Sequence, residues 1–207
     1  MKKSNLNLAT IIILLLILSS IIIVTITATS VITTQNELTE YDIDQYLQDT
    51  LNKISSYIEV QNVYGKFNEE KPYSLTQIGI MISPMFHKSI DMTDWIVQLK
   101  TKNSINIYTI HNSSETLKDN TIFNHDIWNS ISTNQYGLIS IIDKDSSIKN
   151  YSVFNDPGDL SFLIFRIASN EISKGDVVTI IISSGKNIQK SVTFSIPIPT
   201  NNVVTLW

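Results

Sequence analysis

The chain has 207 residues, with 15 Lys and Arg against 19 Asp and Glu, and only 16% of its residues are charged where about 25% is usual. It contains no Cys, which excludes disulfide scaffolds and thiolate metal sites, and its acidic balance repels phosphate, which argues against nucleic-acid binding. A hydrophobic content of 43% argues against disorder, so the length predicts one domain plus an additional segment.

The N-terminal segment explains the deficit of charge. No charged residue occurs between Lys3 and Glu37, and residues 8–28 are mostly apolar. As a helix these residues would extend roughly 30 Å, enough to cross a bilayer, with Lys2 and Lys3 on the cytoplasmic side. Three interpretations remain open: a secretory signal cleaved after Ser30, a permanent membrane anchor, or a pilin-type segment that leaves the membrane to form a filament core.

The periodicity after this run extends the predicted helix. Apolar residues recur every three or four positions between Ile43 and Ile58, and neither Pro nor Gly occurs before Gly65. We therefore predict a hydrophobic and then amphipathic helix over 5–64. Its predicted polymerisation residues are Ile11, Leu14, Leu15, Leu18, Ile21, Ile22, Leu47, Leu51, Ile54 and Ile58. Periodicity alone equally permits the amphipathic part to pack on its own domain.

Residues 65–207 are predicted to form an all-β domain, so the fold class is α+β. Eight short runs rich in β-forming residues, several of them alternating, are separated by turn residues, at 74–82, 95–99, 105–110, 136–142, 160–168, 177–183, 191–196 and 203–206. Strands without intervening helical patterns are typical of an antiparallel sandwich or barrel. Residues 111–135 are polar and less patterned, which indicates a long surface excursion.

No catalytic constellation is evident, so we expect no enzyme. The three histidines, His87, His111 and His125, lie in separate stretches and are interpreted as surface residues. No nucleophile motif, zinc-protease motif or phosphate-binding glycine loop occurs. No cofactor is therefore expected, with one exception among the acidic loops.

The exception is a divalent cation such as Ca²⁺. Asp143, Asp145, Asp156 and Asp159 lie in two neighbouring acidic stretches, and carboxylates are the hard ligands that Ca²⁺ prefers. Aspartate also favours turns because it caps local backbone N–H groups, and this second interpretation carries more weight.

Two N-glycosylation sequons begin at Asn112 and Asn150. Both are predicted to lie in loops of the part of the chain outside the cell. The chain is rich in Asn and Ser, so the sequons alone predict occupancy only weakly.

Several segments together resemble the archaellins, the archaeal flagellins, whose membrane insertion and assembly are like those of type IV pilins. The resemblance rests on the long N-terminal helix followed by 63–65 and on the connection between two predicted strands at 89–94. It also rests on the Gly-Asp turns at 155–160 and 172–178, and on the C-terminal segments 194–197 and 203–206. It implies an immunoglobulin-like β-sandwich, carried on a helix that polymerises into a rotating extracellular filament. It also raises the expectation of glycans at Asn112 and Asn150 and of a bound cation.

The resemblance also implies partners and processing. These are other copies or related subunits, the cytoplasmic membrane before assembly, a prepilin-type peptidase and the archaellum assembly machinery. Residues 1–4 would be a short leader cut between Ser4 and Asn5, although Ser4 stands where the family usually has Gly and no Gly precedes Gly65. This departure leaves room for a non-rotating pilus subunit or an accessory membrane protein of the motor.

Two classes of function follow. The first is a structural subunit of an extracellular filament, for which the resemblance favours the archaellum. The alternative is a secreted or membrane-anchored β-sandwich module for binding or adhesion, whose N-terminal segment is only a signal or an anchor.

Overall fold

The computed structural model describes residues 57–68, 74–118, 121–167, 172–185 and 188–207, together with 16, 19, 20 and 45–50. The chain divides into two units, Met1–Leu51 and Asn52–Trp207, and we call the second unit the head. In the first unit, Leu16, Ser19, Ser20 and residues 45–50 are helical. Within the described stretches, no helix has both the length and the apolar character needed to cross a membrane.

Most of the predicted polymerisation residues lie outside the described part of the chain. Leu47 is helical and 51% exposed. The residues that the structure does not describe are Ile11, Leu14, Leu15, Leu18, Ile21, Ile22, Leu51 and Ile54, together with Ser4 and Asn5 of the predicted cleavage site.

The described residues of the head form eleven strands. These are β1 (Ile58–Phe67), β2 (Leu75–Pro84), β3 (Ile90–Asp91), β4 (Trp95–Lys100), β5 (Ile105–Thr116), β6 (Gln135–Ile142), β7 (Val153–Phe154), β8 (Leu160–Arg166), β9 (Val177–Ser184), β10 (Gln189–Ser195) and β11 (Val203–Thr205). A short helix, Ser147–Tyr151, precedes β7, and three single 3-10 turns lie at Met92–Asp94, Ile122–Asn124 and Asp126–Asn129. All eight predicted strands are present.

The predicted helix over 5–64 is wrong at its C-terminal end, because residues 58–67 form β1. Ile58, assigned to the polymerisation helix, is fully buried in the core of the head. Ile58 and Val60 begin a two-residue alternation, and a register shift between Val60 and Asn62 moves its phase before Val63. This bulge hid the strand, because it breaks the two-residue period on which recognition from the sequence depends.

Nine strands form one sheet in the order β10-β9-β4-β5-β6-β8-β2-β1-β11. The neighbouring pairs are antiparallel except β5 and β6, which are parallel, so the antiparallel prediction is wrong at this pair. Parallel neighbours need a long crossover, and residues 117–134 supply it.

The sheet curls so that its two ends share one core. Val192 and Phe194 of β10, Leu163 and Phe165 of β8, and Leu206 beyond β11 belong to the same buried cluster. Near the start of β1, Tyr57 donates a hydrogen bond from its hydroxyl to the carbonyl of Gln189 in β10. The head is therefore a curled β-sandwich, as predicted.

Strand β8 is buried on both faces. Leu163 and Phe165 point into the main core, whereas Phe162 and Ile164 join a second apolar cluster on the opposite face of the sheet. Residues of the crossover cover this second face, including Phe123, Ile127 and Trp128. We call the described residues of this crossover, 117–118 and 121–134, the lid. The predicted surface excursion over 111–135 is thus wrong, because β5 continues to Thr116 and the lid packs on the sheet.

Candidate functional site

The predicted acidic residues do meet in the fold. Asp143 and Asp145 follow β6, and Asp156 and Asp159 lie in the turn between β7 and β8. Three of them, with Lys144, Asn155, Gly158 and Ile142, line a shallow cavity of about 210 Å³. Asp143 lies beside this cavity rather than in its lining.

Each carboxylate of this group accepts backbone N–H groups. Asp143 accepts from the N–H groups of Ile148 and Lys149 at 3.3 and 3.0 Å. Asp159 accepts from the N–H groups of Asn155 and Asp156 at 3.0 and 3.1 Å.

The other two aspartates also cap turns. Asp145 accepts from the N–H of Ser147 and from the side-chain amide of Asn155, and Asp156 accepts from the N–H of Gly158. Among the described residues, no three His, Cys, Asp or Glu side chains are arranged to hold a metal ion. The geometry therefore favours turn capping, and the Ca²⁺ site stays a prediction.

Two of these aspartates, Asp145 and Asp159, have pKa values displaced in opposite directions. Hydrogen bonds from Asn155 and Ser147 lower the pKa of Asp145. Burial raises the pKa of Asp159 against the lowering effect of its two backbone donors, and the Asp143 and Asp145 carboxylates raise it further. The side chain of Asp159 is only 3% exposed, consistent with that burial.

Asp159→Asn is expected to change how the stability of the head depends on pH. Because the folded pKa of Asp159 lies above its unfolded value, its contribution to stability falls as pH rises from about 3.9 through the raised folded pKa. Asparagine does not titrate and keeps an acceptor oxygen for both N–H groups. Urea unfolding at pH 3 and pH 7 should show the variant gaining on the wild type at pH 7, because asparagine carries no charge for burial and the neighbouring carboxylates to disfavour.

Asp176→Asn is the matched control for this measurement. Asp176 also caps a turn, accepting from the N–H of Ser173 at 2.8 Å, but it is exposed. The same pH-dependent gain in both variants would contradict the assignment to Asp159.

The lid is fixed to the sheet by polar contacts as well as by its apolar side chains. The indole N–H of Trp128 donates to the carbonyl of Ile122 at 2.7 Å. The guanidinium of Arg166 lies 5.9 Å from the centre of the Trp128 ring and donates to the Trp128 carbonyl. Hydrogen bonding and a cation–π contact therefore hold the same tryptophan.

His125 is buried in the lid, so the surface interpretation is wrong for this histidine. It is 8% exposed, its Nδ1 accepts from the N–H of Ile127 at 3.2 Å, and its Nε2 donates to the carbonyl of Thr116 at 3.0 Å. The ring joins the lid to the end of β5, which is a structural role. His87 is exposed and His111 half-buried.

An apolar cavity of about 500 Å³ lies where the lid meets β1 and β11. Its walls include Tyr64, Ile122, Phe123, Phe162 and Val203. At its edge, the ammonium of Lys66 donates to the amide oxygen of Asn124 at 3.3 Å. The cavity was not predicted, because its two walls are more than 50 residues apart in sequence. It offers space for an apolar group and no catalytic chemistry.

The two sequons lie in regular structure, not in loops as predicted. Asn112 belongs to β5, inside a register shift between Ile110 and Ser114, and Asn150 is exposed in the short helix. The hydroxyls of Ser114 and Ser152, the third residues of the two sequons, form a buried hydrogen bond to each other at 2.9 Å.

Three of the segments that carried the family resemblance, 89–94, 155–160 and 172–178, lie at strand junctions. Asp91 accepts from the N–H of Thr93 at 2.9 Å, where β3 leads into β4. In the turn before β9, Gly175 has a φ of 84°, a conformation that favours glycine. These three segments therefore make turns that set the direction of successive strands.

Comparison with known proteins identifies the fold. No protein-family model matches the sequence, and no curated protein matches it either. The crystal structure of archaeal flagellin FlaB1 from Methanocaldococcus jannaschii is similar with a TM-score of 0.62 at 20% identity, over 72% of this chain and 95% of that one. The chain has the archaellin fold.

A second structure with the archaellin fold extends the similarity. The archaeal flagellum of Methanospirillum hungatei strain JF1 matches with a TM-score of 0.56 at 11% identity, over 95% of this chain and 98% of that one. The resemblance to archaellins is thus confirmed in the fold.

Proposed function

We propose that this protein is a structural subunit of an extracellular helical filament of the archaellum type, and that it acts by assembly rather than by catalysis. The similarity to the Methanospirillum hungatei flagellum over 95% of the chain is the observation that carries the proposal. The charge-free block over 4–36 supports it, because a filament core needs a long apolar segment and the head does not.

The proposed driving force is burial of the N-terminal apolar side chains. Before assembly the segment would lie in the cytoplasmic membrane, and after assembly it would pack against the same segment of neighbouring subunits. Burying about 15 large apolar side chains at roughly 1.5–3 kcal/mol each favours the polymer strongly over a subunit exposed to water. The membrane holds the unassembled subunit because its hydrocarbon core surrounds the same apolar side chains.

The head would form the outside of the filament. Its core contains side chains from both ends of the curled sheet, and its second face is covered by the lid. Two apolar layers explain how a chain without Cys can keep an exposed head folded without disulfides.

The mature N-terminus tests the proposal. We expect mass spectrometry of the protein from cells to find a mature chain that begins at Asn5, after cleavage by a prepilin-type peptidase. A chain that begins at residue 31 would instead identify a secreted β-sandwich module, and an intact Met1 would favour a membrane-anchored one. Either of these results would contradict the filament subunit.

A further inference from the structure

We propose that the sequons at Asn112 and Asn150 are acceptors that must be glycosylated before the head folds, because folding buries the hydroxyl groups by which both sequons are recognised. The inference rests on the proposed function only in placing the head outside the cell, where glycan transfer takes place. Its basis is the hydrogen bond between the hydroxyls of Ser114 and Ser152, 38 residues apart in sequence.

The chemistry requires an accessible sequon. The side-chain amide nitrogen of asparagine attacks C1 of the first sugar of a lipid-phosphate-linked oligosaccharide, supplied by a membrane transferase. The N–C1 bond forms, the bond from C1 to the phosphate oxygen breaks, the lipid phosphate leaves with the electron pair, and the amide nitrogen gives up one proton to a base. The hydroxyl two residues after the asparagine is part of the acceptor sequence that the transferase reads.

In the folded head neither hydroxyl is available. Ser114 and Ser152 are each 8% exposed, and each hydroxyl bonds to the other. A transferase that bound either hydroxyl would have to break this pair and leave the second hydroxyl buried without its partner. Formation of this one hydrogen bond therefore makes the recognition hydroxyls of both sequons inaccessible.

The backbone of each sequon is also unavailable to an enzyme, because Asn150 lies in a helix and Asn112 lies in a strand that is not at the edge of the sheet. Ser152 has a left-handed backbone with φ of 56°, and the N–H of Asn150 donates to the carbonyl of Ser146 at 3.0 Å within the short helix. Asn112 lies in β5 between Ile110, which pairs with Tyr136 of β6, and Ser114, which pairs with Leu138, so paired residues of β6 fix the backbone on each side of it. Presenting either sequon to an enzyme requires unfolding.

The two sequons should differ in how much unfolding they need. Opening at Asn150 requires release of the short helix and of β7, which among the described strands pairs only with the two-residue strand β3. Opening at Asn112 requires release of the end of β5 from the central strand β6, where Ser114, Glu115 and Thr116 are paired. Central strands open only at a free energy near that of global unfolding, so Asn112 should be the more strongly protected.

The test compares transfer to the folded chain and to unfolded segments. The full chain, produced without glycans and folded in detergent micelles, and peptides covering 105–118 and 145–158 are each given a purified archaeal oligosaccharyltransferase and its lipid-phosphate-linked oligosaccharide. Glycopeptide mass spectrometry measures the rate at each asparagine. We expect transfer to Asn112 to be at least about 10³-fold slower in the folded chain than in the peptide, because only about 10⁻³ or less of a folded protein is unfolded. Transfer to Asn150 should be slowed less.

A third sequon in the same folded chain is the matched control. Ile105→Thr completes a sequon that begins at the exposed Asn103, in the turn between β4 and β5, and residue 105 is itself exposed. We expect transfer at Asn103 within about tenfold of its own peptide, since opening an exposed turn costs little.

Three results would overturn the proposal. Transfer to Asn112 in the folded chain at a rate within tenfold of the peptide would show that folding does not close the sequon. Equal slowing at Asn112 and at the Asn103 control would remove the role of the buried hydroxyls. Peptides that accept no glycan would show that the sequons are not acceptors. None of these results depends on filament assembly, so the proposed function is tested separately.

Discussion

Leu15→Asp is expected to abolish filament formation while leaving the head folded. Leu15 lies well inside the charge-free run that is proposed to form first the membrane segment and then the filament core. A carboxylate in the middle of an apolar helix costs roughly 2.5–3.5 kcal/mol on insertion into a membrane, and a buried unpaired charge in the polymer costs several kcal/mol. A penalty of that size at every subunit lowers the association constant by a factor of about 100 or more.

Electron microscopy of filaments shed from cells that carry only the variant measures assembly. The variant should yield no filaments, and hydrogen exchange on the full chain should still find β8 protected, as expected for an intact head. Leu15→Ile is the matched control, because it keeps an apolar side chain of the same size and should assemble. Filaments of normal length in Leu15→Asp would contradict the proposed filament core.

The strands of the head could be predicted because buried and exposed side chains alternate along them. In β10, buried Val192 and Phe194 alternate with exposed neighbours, and this two-residue period is visible in the sequence. Strand β1 could not be predicted in the same way. Its bulge shifts the phase of the alternation, and the helical stripe that begins at Ile43 continues as far as Ile58 without a Gly or Pro to end it.

Features that depend on distant contacts could not be predicted. Alternation does not distinguish parallel from antiparallel pairing, so the β5–β6 pair and the lid above it were missed. His125 occurs in a polar stretch, and its burial depends on a carbonyl of β5 that only the fold brings within reach. The Ser114–Ser152 pair was likewise hidden, although both sequons were recognised.

For the acidic loops, the sequence predicted where the residues lie but not what they do. The sequence placed Asp145 and Asp159 close together correctly, because both lie in turns next to β6 and β8. It could not decide between metal binding and turn capping, since both uses need carboxylates at turns. The hydrogen bonds decide the present use of these carboxylates, which accept from backbone N–H groups and, at Asp145, also from the side-chain amide of Asn155.

Trp128→Ala is expected to lower the free energy of unfolding by about 3–5 kcal/mol, the usual cost of removing a large buried aromatic side chain. Trp128 is 4% exposed and its ring stacks with Phe123 at 6.2 Å between ring centres. The substitution also removes the hydrogen bond to the Ile122 carbonyl and the ring beneath the Arg166 guanidinium. Losses of packing and of both polar contacts fall on one segment, so the lid should be released before the sheet unfolds.

Urea unfolding of the full chain and hydrogen exchange measure the two parts of this prediction. The unfolding midpoint should fall, and amides of 121–131 should exchange faster than those of β4 and β9, which lie away from the lid. Tyr151→Ala is the matched control, because it also removes an aromatic ring but from a side chain that is 72% exposed, and should change stability by no more than about 0.5 kcal/mol. If both variants unfold at the same urea concentration, the lid does not contribute to the stability of the head. Release of the lid should also expose Phe162 and Ile164. The variant should therefore bind a hydrophobic dye, because among the described residues this face of the sheet has no cover other than the lid.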